Sequence, residues 1–274
     1  MSQPAHFAND DASFYAGVHD IERRSNGLLC FAARDMQTGD ILRYNADHKC
    51  RTASVIKLPI LIHLGLCIYE GSLKWEQKLT LTEDEKVEGS GALTNLAQGL
   101  ALTLRDTATL MIILSDNTAT NMILELVGLE SINHRMRSLG LPVTTIFRKV
   151  FSLDGPANTY GLGVTTPNEA LSLLLMLVEG GIGDEKLSAD LVSILAEQQY
   201  RDSIPRYLPS DWVYAGKTGA INEARNDVGI VTDEHGNRYL LSLFAQDLKE
   251  LLWTADNPGT LALARLAQHI LQNK

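Results

Sequence analysis

The sequence predicts an α+β fold in two parts, with an antiparallel sheet built from both termini, flanked by helices, and an all-helical insertion between them. Three observations lead to this prediction. Short apolar segments near the N-terminus are typical of strands, strand-like segments return after residue 212, and helical periodicity dominates the stretch between. Because a sheet must bury an apolar face, strands from the two ends of such a chain are expected to pair in one sheet.

The N-terminal part contains one predicted helix and two predicted strands. The helix covers about residues 10–24, and the apolar segment 28–33 follows it as a strand. A turn at Thr38 and Gly39 separates this strand from a second one at residues 41–44.

Helix signals then follow one another through the middle of the chain. Thr103 can cap a helix at its start, and Thr166 followed by Pro167 marks another helix N-terminus. The helices expected here cover residues 104–114, 117–126, 131–139 and 167–179.

The C-terminal part returns to strands and ends in a helix. Residues 212–215 form a strand that leads into Lys217, and a hairpin turn at 233–237 joins two further strands, 228–231 and 239–244. The last helix is expected at 257–272. We therefore expect a discontinuous sheet domain, a helical domain and an active site in the groove between them, with boundaries at residues 1–52 plus 206–274 and 53–205.

Composition narrows the classes of partner. The chain has 274 residues, is 45% hydrophobic and carries a formal net charge of −9. This negative charge argues against nucleic acid and anionic membrane surfaces, and the longest apolar runs are too short to span a bilayer. We expect a monomer that acts on a small molecule without a cofactor. The histidines show no metal-ligand spacing.

The first residues and the cysteines bear on localisation. Residues 1–7 show no basic segment followed by an apolar one, which is the pattern of a secretory signal. As written, the chain is expected to be cytoplasmic; it would be periplasmic or secreted if a signal peptide has been removed. Cys30, Cys50 and Cys67 form no even framework, which favours free thiols in a reducing compartment.

Three short motifs stand in a fixed order and carry the chemistry. They are Ser-x-x-Lys at Ser54 and Lys57, Ser-Asp-Asn at residues 115–117, and Lys-Thr-Gly at residues 217–219. Ser-x-x-Lys alone is expected roughly once by chance in a chain of this length, and each tripeptide at a level of a few per cent. All three in this order make an accidental match improbable.

The first motif supplies a nucleophile and a base. At a helix start, the Ser54 hydroxyl lies near unpaired backbone N–H groups that favour an oxyanion. Lys57 falls on the same helix face, and its apolar neighbours disfavour the charged ammonium, so a neutral amine can take the serine proton. Pro59 is unexpected here, because it cannot donate a hydrogen bond to the Val55 carbonyl.

The second motif is expected in a loop that faces the groove. Ser115 can relay a proton between Lys57 and the leaving group, while Asn117 can bind a substrate amide or orient Lys57. Asp116 is interpreted as the cap of the next helix. Taken in isolation, the whole tripeptide can also be interpreted as a helix cap and nothing more.

The third motif is expected on a strand. Lys217 supplies positive charge, the Thr218 hydroxyl can bind a substrate carboxylate, and Gly219 lets the substrate approach the strand backbone. The N–H groups of Ala220 and Ser54 can then form an oxyanion hole.

Arg225 has two interpretations. Its planar guanidinium can bind a substrate carboxylate, or it is a surface arginine in a loop.

With these motifs in place, the chain resembles class A β-lactamases and other penicillin-recognising serine enzymes. Residues 89–93, 102–121 and 164–167 are also similar to that family, and the resemblance extends from about residue 10 to the end. It implies a β-lactamase/DD-peptidase-like fold with Ser54 acylated by a β-lactam. It also implies the roles given above for a set of matching positions: Lys57, Ser115, Asn117, Lys217 and Thr218.

One family feature is missing. Class A enzymes activate the deacylating water with a glutamate, found between the second and third motifs as Glu-x-x-Leu-Asn. The corresponding residues 148–158 contain no glutamate, and Asp154 is their one carboxylate. Asp154 is either a substitute base or a turn residue. Glu169 is interpreted as a first-turn partner of the helix dipole.

The sequence therefore predicts a serine β-lactamase that works through an acyl-enzyme on Ser54, with slow deacylation. Two alternatives remain open. One is a D-alanyl-D-alanine peptidase or esterase with the same machinery, and the other is a β-lactam-binding protein that stalls at the acyl-enzyme.

Overall fold

The computed structural model describes residues 12–152, 154 and 158–273. Within these ranges the strands are β1 (Leu28–Asp35), β2 (Ile41–Tyr44), β3 (Cys50–Arg51), β4 (Lys78–Thr80), β5 (Ala101–Thr103), β6 (Thr145–Ile146), β7 (Gly163–Thr165), β8 (Val213–Ile221), β9 (Ala224–Thr232) and β10 (Arg238–Gln246). The α-helices are α1 (Ala12–Ser25), α2 (Lys57–Tyr69), α3 (Leu104–Ile113), α4 (Asn117–Val127), α5 (Leu129–Ser138), α6 (Pro167–Val178), α7 (Glu185–Ala196) and α8 (Pro258–Gln272).

One antiparallel sheet joins the two ends of the chain. Its five strands lie in the order β2-β1-β10-β9-β8, so β1 pairs with β10 although more than 200 residues separate them. Helices α2 to α7 all fall between β2 and β8 in the sequence. The predicted α+β fold class, with a sheet from both termini and a helical insertion, is confirmed.

Both faces of this sheet are covered. Along β1, Leu29 and Phe31 pack into a core shared with α1 and α8, while Cys30 and Ala32 face a larger core shared with the inserted helices. Successive side chains of a strand point to opposite faces, so a strand that is buried on both sides must be apolar throughout. This requirement explains why β1 is a continuous apolar segment instead of an alternating one.

Most predicted elements match the observed ones to within a few residues, and the differences have local causes. β9 and β10 extend several residues beyond the predicted strands because they pair with each other across a hairpin, from Thr232 opposite Arg238 to Arg225 opposite Ala245. The sequence analysis did not predict α7, nor the small sheet in which β3, β7 and β6 pair. The two-residue strands of that sheet are too short to show any periodicity.

The proposed domain boundaries stay a prediction. β3 lies within the segment assigned to the sheet part, yet its partner β7 lies within the segment assigned to the helical part. The first residue of β3, Cys50, belongs to the larger core. The backbone that leads to the nucleophile is therefore attached to both parts of the molecule.

Pro59 is accommodated without breaking a helix. A short 3-10 turn covers Ala53–Ile56, and α2 begins only at Lys57. Pro59 therefore lies in the first turn of α2, where backbone N–H groups have no partner within the helix. The missing N–H costs the helix nothing at this position.

None of the helices in the described ranges is both long and apolar enough to cross a bilayer. Across the same residues, no group of three or more His, Cys, Asp or Glu side chains is arranged to hold a metal ion.

Candidate active site

The nucleophile lies on the short 3-10 turn that precedes α2. Residues three apart eclipse one another in a 3-10 helix, so Ser54 and Lys57 project from the same side of this turn. Ser54 is partly exposed, whereas Lys57 is fully buried. Ala53, directly before the serine, has a φ of 45°, which is a strained value for a residue with a side chain.

The amine of Lys57 connects the first motif to the second. Its Nζ lies 2.7 Å from the Ser115 carbonyl, 3.1 Å from the Ser115 hydroxyl and 3.0 Å from the Asn117 Oδ1. Asn117 therefore orients Lys57, one of the two functions that the sequence left open. When the amine is neutral, the Ser115 hydroxyl can donate to it, which forms the contact that a proton relay needs.

The environment of Lys57 favours its neutral form. Burial lowers the pKa of Lys57 well below its usual value, and the charge of Lys217 lowers it further, while Asp116 acts in the opposite direction. A neutral amine three residues from a serine can accept the hydroxyl proton as that serine attacks.

Asp116 fixes the loop of the second motif. Its carboxylate caps α4 by accepting from the Ala119 N–H at 2.9 Å, and it also accepts from the N–H groups of Ala92 and Leu93. A side chain at Gly91 would lie 2.3 Å from the Asp116 carboxyl group, so only glycine fits there. The motif is thus a helix cap, as expected, but it also binds Lys57 and joins residues 89–93 to the site.

The third motif lies on β8, the outermost strand of the five-stranded sheet. This position leaves one edge of β8 facing the groove, where an extended substrate can pair with it. Thr218 and Ala220 are at least partly exposed along the strand, while Lys217 is buried and donates to the Thr218 carbonyl at 2.7 Å. Their roles in binding a carboxylate and an oxyanion stay predictions.

Gly219 allows β8 to approach the nucleophile turn. A Cβ at this position would lie 2.7 Å from the Thr52 carbonyl oxygen, 2.9 Å from the Val55 nitrogen and 3.0 Å from the Ser54 nitrogen. All three are backbone atoms, which cannot move aside as a flexible side chain can. The glycine therefore serves the contact between two protein segments, in addition to the access for substrate expected from the sequence.

The pKa of Lys217 differs from its usual value. Burial lowers its pKa to about 7, and the buried carboxylate of Asp227 opposes this effect. Asp227 in turn accepts hydrogen bonds from the Tyr214 hydroxyl and from the Ile204 N–H, yet burial still raises its pKa to about 6. The positive charge expected at Lys217 thus depends on pH near neutrality.

Arg225 is not a surface residue, and that interpretation is wrong. Its side chain is buried, donates to the carbonyls of Ile221, Ala224 and Leu252, and lies 5.0 Å from the centre of the Trp253 ring. The guanidinium thus fastens the β8–β9 hairpin to the segment before α8. Arg225 also lines the pocket. That its guanidinium binds a substrate carboxylate there stays a prediction.

The groove is large and has an apolar rim. It encloses about 900 Å³ between the nucleophile turn, the second motif, β8 and residues 148–152. Phe151 and Trp253 line it and are 69% and 65% exposed, values that place large apolar surfaces at its mouth. No sequence pattern indicated either residue, because their segments have no regular period.

Val150 lines the pocket and belongs to residues 148–158, the segment in which class A enzymes have their deacylating glutamate. Asn121 holds its backbone on both sides, accepting from the Val150 N–H at 2.9 Å and donating to its carbonyl at 3.1 Å. Asn121 lies one helical turn after Asn117, so both project from the same side of α4. That i, i+4 spacing is the signal by which the sequence analysis could have found Asn121.

Asp154 lies outside the groove. Its side chain is exposed, and the described residues of its loop that line the pocket are Arg148, Lys149, Val150, Phe151 and Ser152. Set against Glu-x-x-Leu-Asn, residues 150–154 keep only the leucine, with Val150 in the place of the glutamate and Asp154 in the place of the asparagine. The structure thus opposes the interpretation of Asp154 as a substitute base.

Comparisons with known proteins identify the family of this chain. A family model described as the beta-lactamase enzyme family matches residues 14–273. The chain is 26% identical over 258 residues to a beta-lactamase of Bacillus licheniformis, across 91% of this chain and 81% of that protein.

Solved structures give the same result. The beta-lactamase from Sphaerobacter thermophilus DSM 20745 superposes with a TM-score of 0.86 and 30% identity, covering 96% of this chain and 97% of that one. An ancestral class A beta-lactamase has a TM-score of 0.86 and 22% identity, covering 94% and 99%, which shows the likeness of fold.

The approach of β8 to the nucleophile turn yields a first prediction. We expect Gly219→Ala to slow acylation of Ser54 by penicillin about 100-fold, because the added methyl group must push β8 away from the turn. The control is Gly181→Ala, whose added Cβ would meet its nearest atom at 3.4 Å, an ordinary contact. Rapid-quench mass spectrometry measures the acylation rate. Equal rates for Gly219→Ala and the wild type would show that the contact is not required.

Proposed function

The chain belongs to the beta-lactamase enzyme family, and on that premise we propose that it is a serine hydrolase that opens β-lactam rings through an ester on Ser54. The observation that carries this proposal is the Nζ of Lys57, which Ser115 and Asn117 hold beneath the groove. Through that contact, residues of the first two motifs form one proton-transfer unit. This unit lies beside the third motif.

Acylation uses only groups that lie together in this site. The Ser54 Oγ attacks the lactam carbonyl carbon while its proton passes to the neutral Lys57 amine. The N–H groups of Ser54 and Ala220 stabilise the resulting oxyanion. The lactam C–N bond then breaks, and its nitrogen receives the proton from Lys57 through the Ser115 hydroxyl. The product is an acyl ester on Ser54.

We propose that release of this ester is slow. Hydrolysis requires a water molecule, a base to remove its proton, and return of a proton to Ser54. Val150, which lines the pocket at the position of the family's glutamate, has no group that can accept a proton. Lys57, neutral again after acylation, is the base left beside the ester.

The absence of a base at Val150 is also compatible with a second activity. The lack of a base at Val150 slows attack by water but does not by itself prevent attack by another acceptor. A D-alanyl-D-alanine peptidase or esterase with this machinery would release D-alanine from a D-Ala-D-Ala peptide without hydrolysing nitrocefin. A protein that only binds β-lactams would form the ester and never turn over.

The monomeric state and the cytoplasmic location stay predictions from the sequence.

Slow deacylation predicts a burst. Mixed with nitrocefin, the wild type is expected to release about one equivalent of product rapidly and then continue at a slower steady rate. Ser54→Ala should abolish both phases and the mass increase of the protein. We expect Asp154→Ala to behave as the wild type, because its side chain is exposed outside the groove. A linear progress curve, with no trapped ester, would contradict slow deacylation.

A base placed at the apolar wall should restore deacylation. We expect Val150→Glu to speed loss of the acyl group by at least tenfold, since general base catalysis contributes about 10²–10⁴-fold in enzymes. Val150→Gln is the matched control, with the same size and no base. Decay of the acyl-enzyme after removal of excess penicillin measures the rate. The proposal about Val150 fails if the two variants deacylate alike.

The two buried lysines predict a bell-shaped pH dependence. For a penicillin with a free carboxylate, kcat/KM reports groups of the free enzyme. It should fall above about pH 7 as Lys217 loses its proton, and fall at low pH as Lys57 becomes protonated. Lys217→Arg keeps its charge and should remove the alkaline limb. A flat profile from pH 6 to pH 9 would argue against a titrating Lys217.

A further inference from the structure

A buried amide network lies directly behind the nucleophile turn. Asn226 on β9 and Gln246 at the end of β10 are 1% and 2% exposed, and the Nε2 of Gln246 donates to the Oδ1 of Asn226 at 2.8 Å. The motifs and the acylation steps described above involve neither residue. Two fully buried carboxamides need partners for every polar atom, so their contacts define what they hold.

Their partners are the backbone groups that precede the serine. The Nδ2 of Asn226 donates to the carbonyl of Arg51 at 2.9 Å and to that of Thr52 at 3.0 Å. Gln246 accepts from the Arg51 N–H at 3.0 Å and donates to the Arg51 carbonyl at 3.4 Å. The network thus binds three backbone groups within the three residues before Ser54.

The turn that is held this way is strained. Ala53 lies between the Thr52 carbonyl that Asn226 binds and the nucleophile, and its φ of 45° is strained for a residue other than glycine. Such a conformation persists only where the surroundings impose it. Within the turn, the Val55 N–H donates to the Thr52 carbonyl at 3.1 Å, and Asn226 supplies a second donor to the same oxygen.

The sheet register explains why Asn226 can reach this carbonyl. Asn226 lies directly opposite Gly219 on the neighbouring strand, and directly opposite residues project to the same face of a sheet. Because Gly219 has no side chain, the Asn226 amide can pass beside it to the Thr52 oxygen. Gly219 provides the space, and Asn226 provides the hydrogen bonds.

We propose that Asn226, supported by Gln246, is a positioning residue for acylation, which holds the Thr52–Ala53 backbone so that the Ser54 hydroxyl and N–H point into the groove. This inference rests on the proposed function, since it assigns a role in the acylation of Ser54. Neither amide touches the reacting atoms in the described contacts. Their effect is transmitted through the backbone.

Three substitutions test the role. We expect Asn226→Ala and Gln246→Met to lower the acylation rate constant about 100-fold, the scale of a displacement of about 1 Å at a reacting group. Asn226→Asp keeps the size of the side chain, but its ionised carboxylate would face two carbonyl oxygens. Its rate, divided by the wild-type rate at the same pH, should rise as the pH falls, because a protonated carboxyl group regains one donor.

The readouts separate positioning from loss of structure. Stopped-flow kinetics with penicillin gives the dissociation constant of the non-covalent complex and the acylation rate constant, and only the second should change. Affinity for a boronic acid, which bonds to the serine as a tetrahedral analogue, should fall in parallel. The matched control is Asn133→Ala, which removes a buried asparagine that bonds the Ile146 backbone. It should lower the melting temperature without slowing acylation.

The outcomes distinguish this inference from the proposed function. If the wild type forms no ester on Ser54, the proposed function fails. If the wild type is acylated and the Asn226 and Gln246 variants, folded by circular dichroism, react within threefold of it, the positioning role is wrong. If Asn226→Ala does not fold, the comparison of Asn226→Asp and Gln246→Met with the wild type decides the question.

Discussion

Burial of the Lys57 amine against the second motif is the constraint on which the site depends. Burial disfavours the charged ammonium, so the pKa of Lys57 lies well below its usual value and the neutral amine becomes accessible. That neutral amine is the species that can accept a proton from a serine. Three hydrogen-bond partners on one loop hold the amine in place, and Asp116 ties that loop to the following helix and to the backbone of Ala92.

A second constraint is the close approach of three backbone segments around Ser54. β8 comes so near the nucleophile turn that any side chain at Gly219 would collide with backbone atoms. The turn itself is anchored to β7 through β3 and to the sheet through Asn226 and Gln246. Because these anchors come from both parts of the molecule, the geometry of the nucleophile depends on how the two parts pack. Ala53 and Ser115, on the turns that carry the first and second motifs, both have a positive φ, which is strained for a residue with a side chain.

The two halves of the reaction rest on different parts of the fold. Acylation relies on residues that the core and the sheet hold rigidly, and these are largely buried. Deacylation relies on a loop of which residues 148–152 line the pocket, and Val150 among them is held by its backbone and not by its side chain. A side chain at that point can change without disturbing any described hydrogen bond. The fold therefore permits a hydrolase, a slow hydrolase or a transferase with one and the same acylation machinery.

The sequence by itself determined the fold class and the candidate acylation residues. Periodicity revealed the long helices and strands, since each arises from local spacing, and the three motifs identified Ser54, Lys57, Ser115 and Lys217 because their chemistry requires those residue types. The sequence did not indicate which distant segments contact one another. Only the tertiary structure decided that Val150 and not Asp154 faces the groove, that Arg225 is buried, and that Gln246 reaches Arg51 across 195 residues. Such contacts depend on how elements pack, and packing leaves no periodic trace in the residues that it brings together.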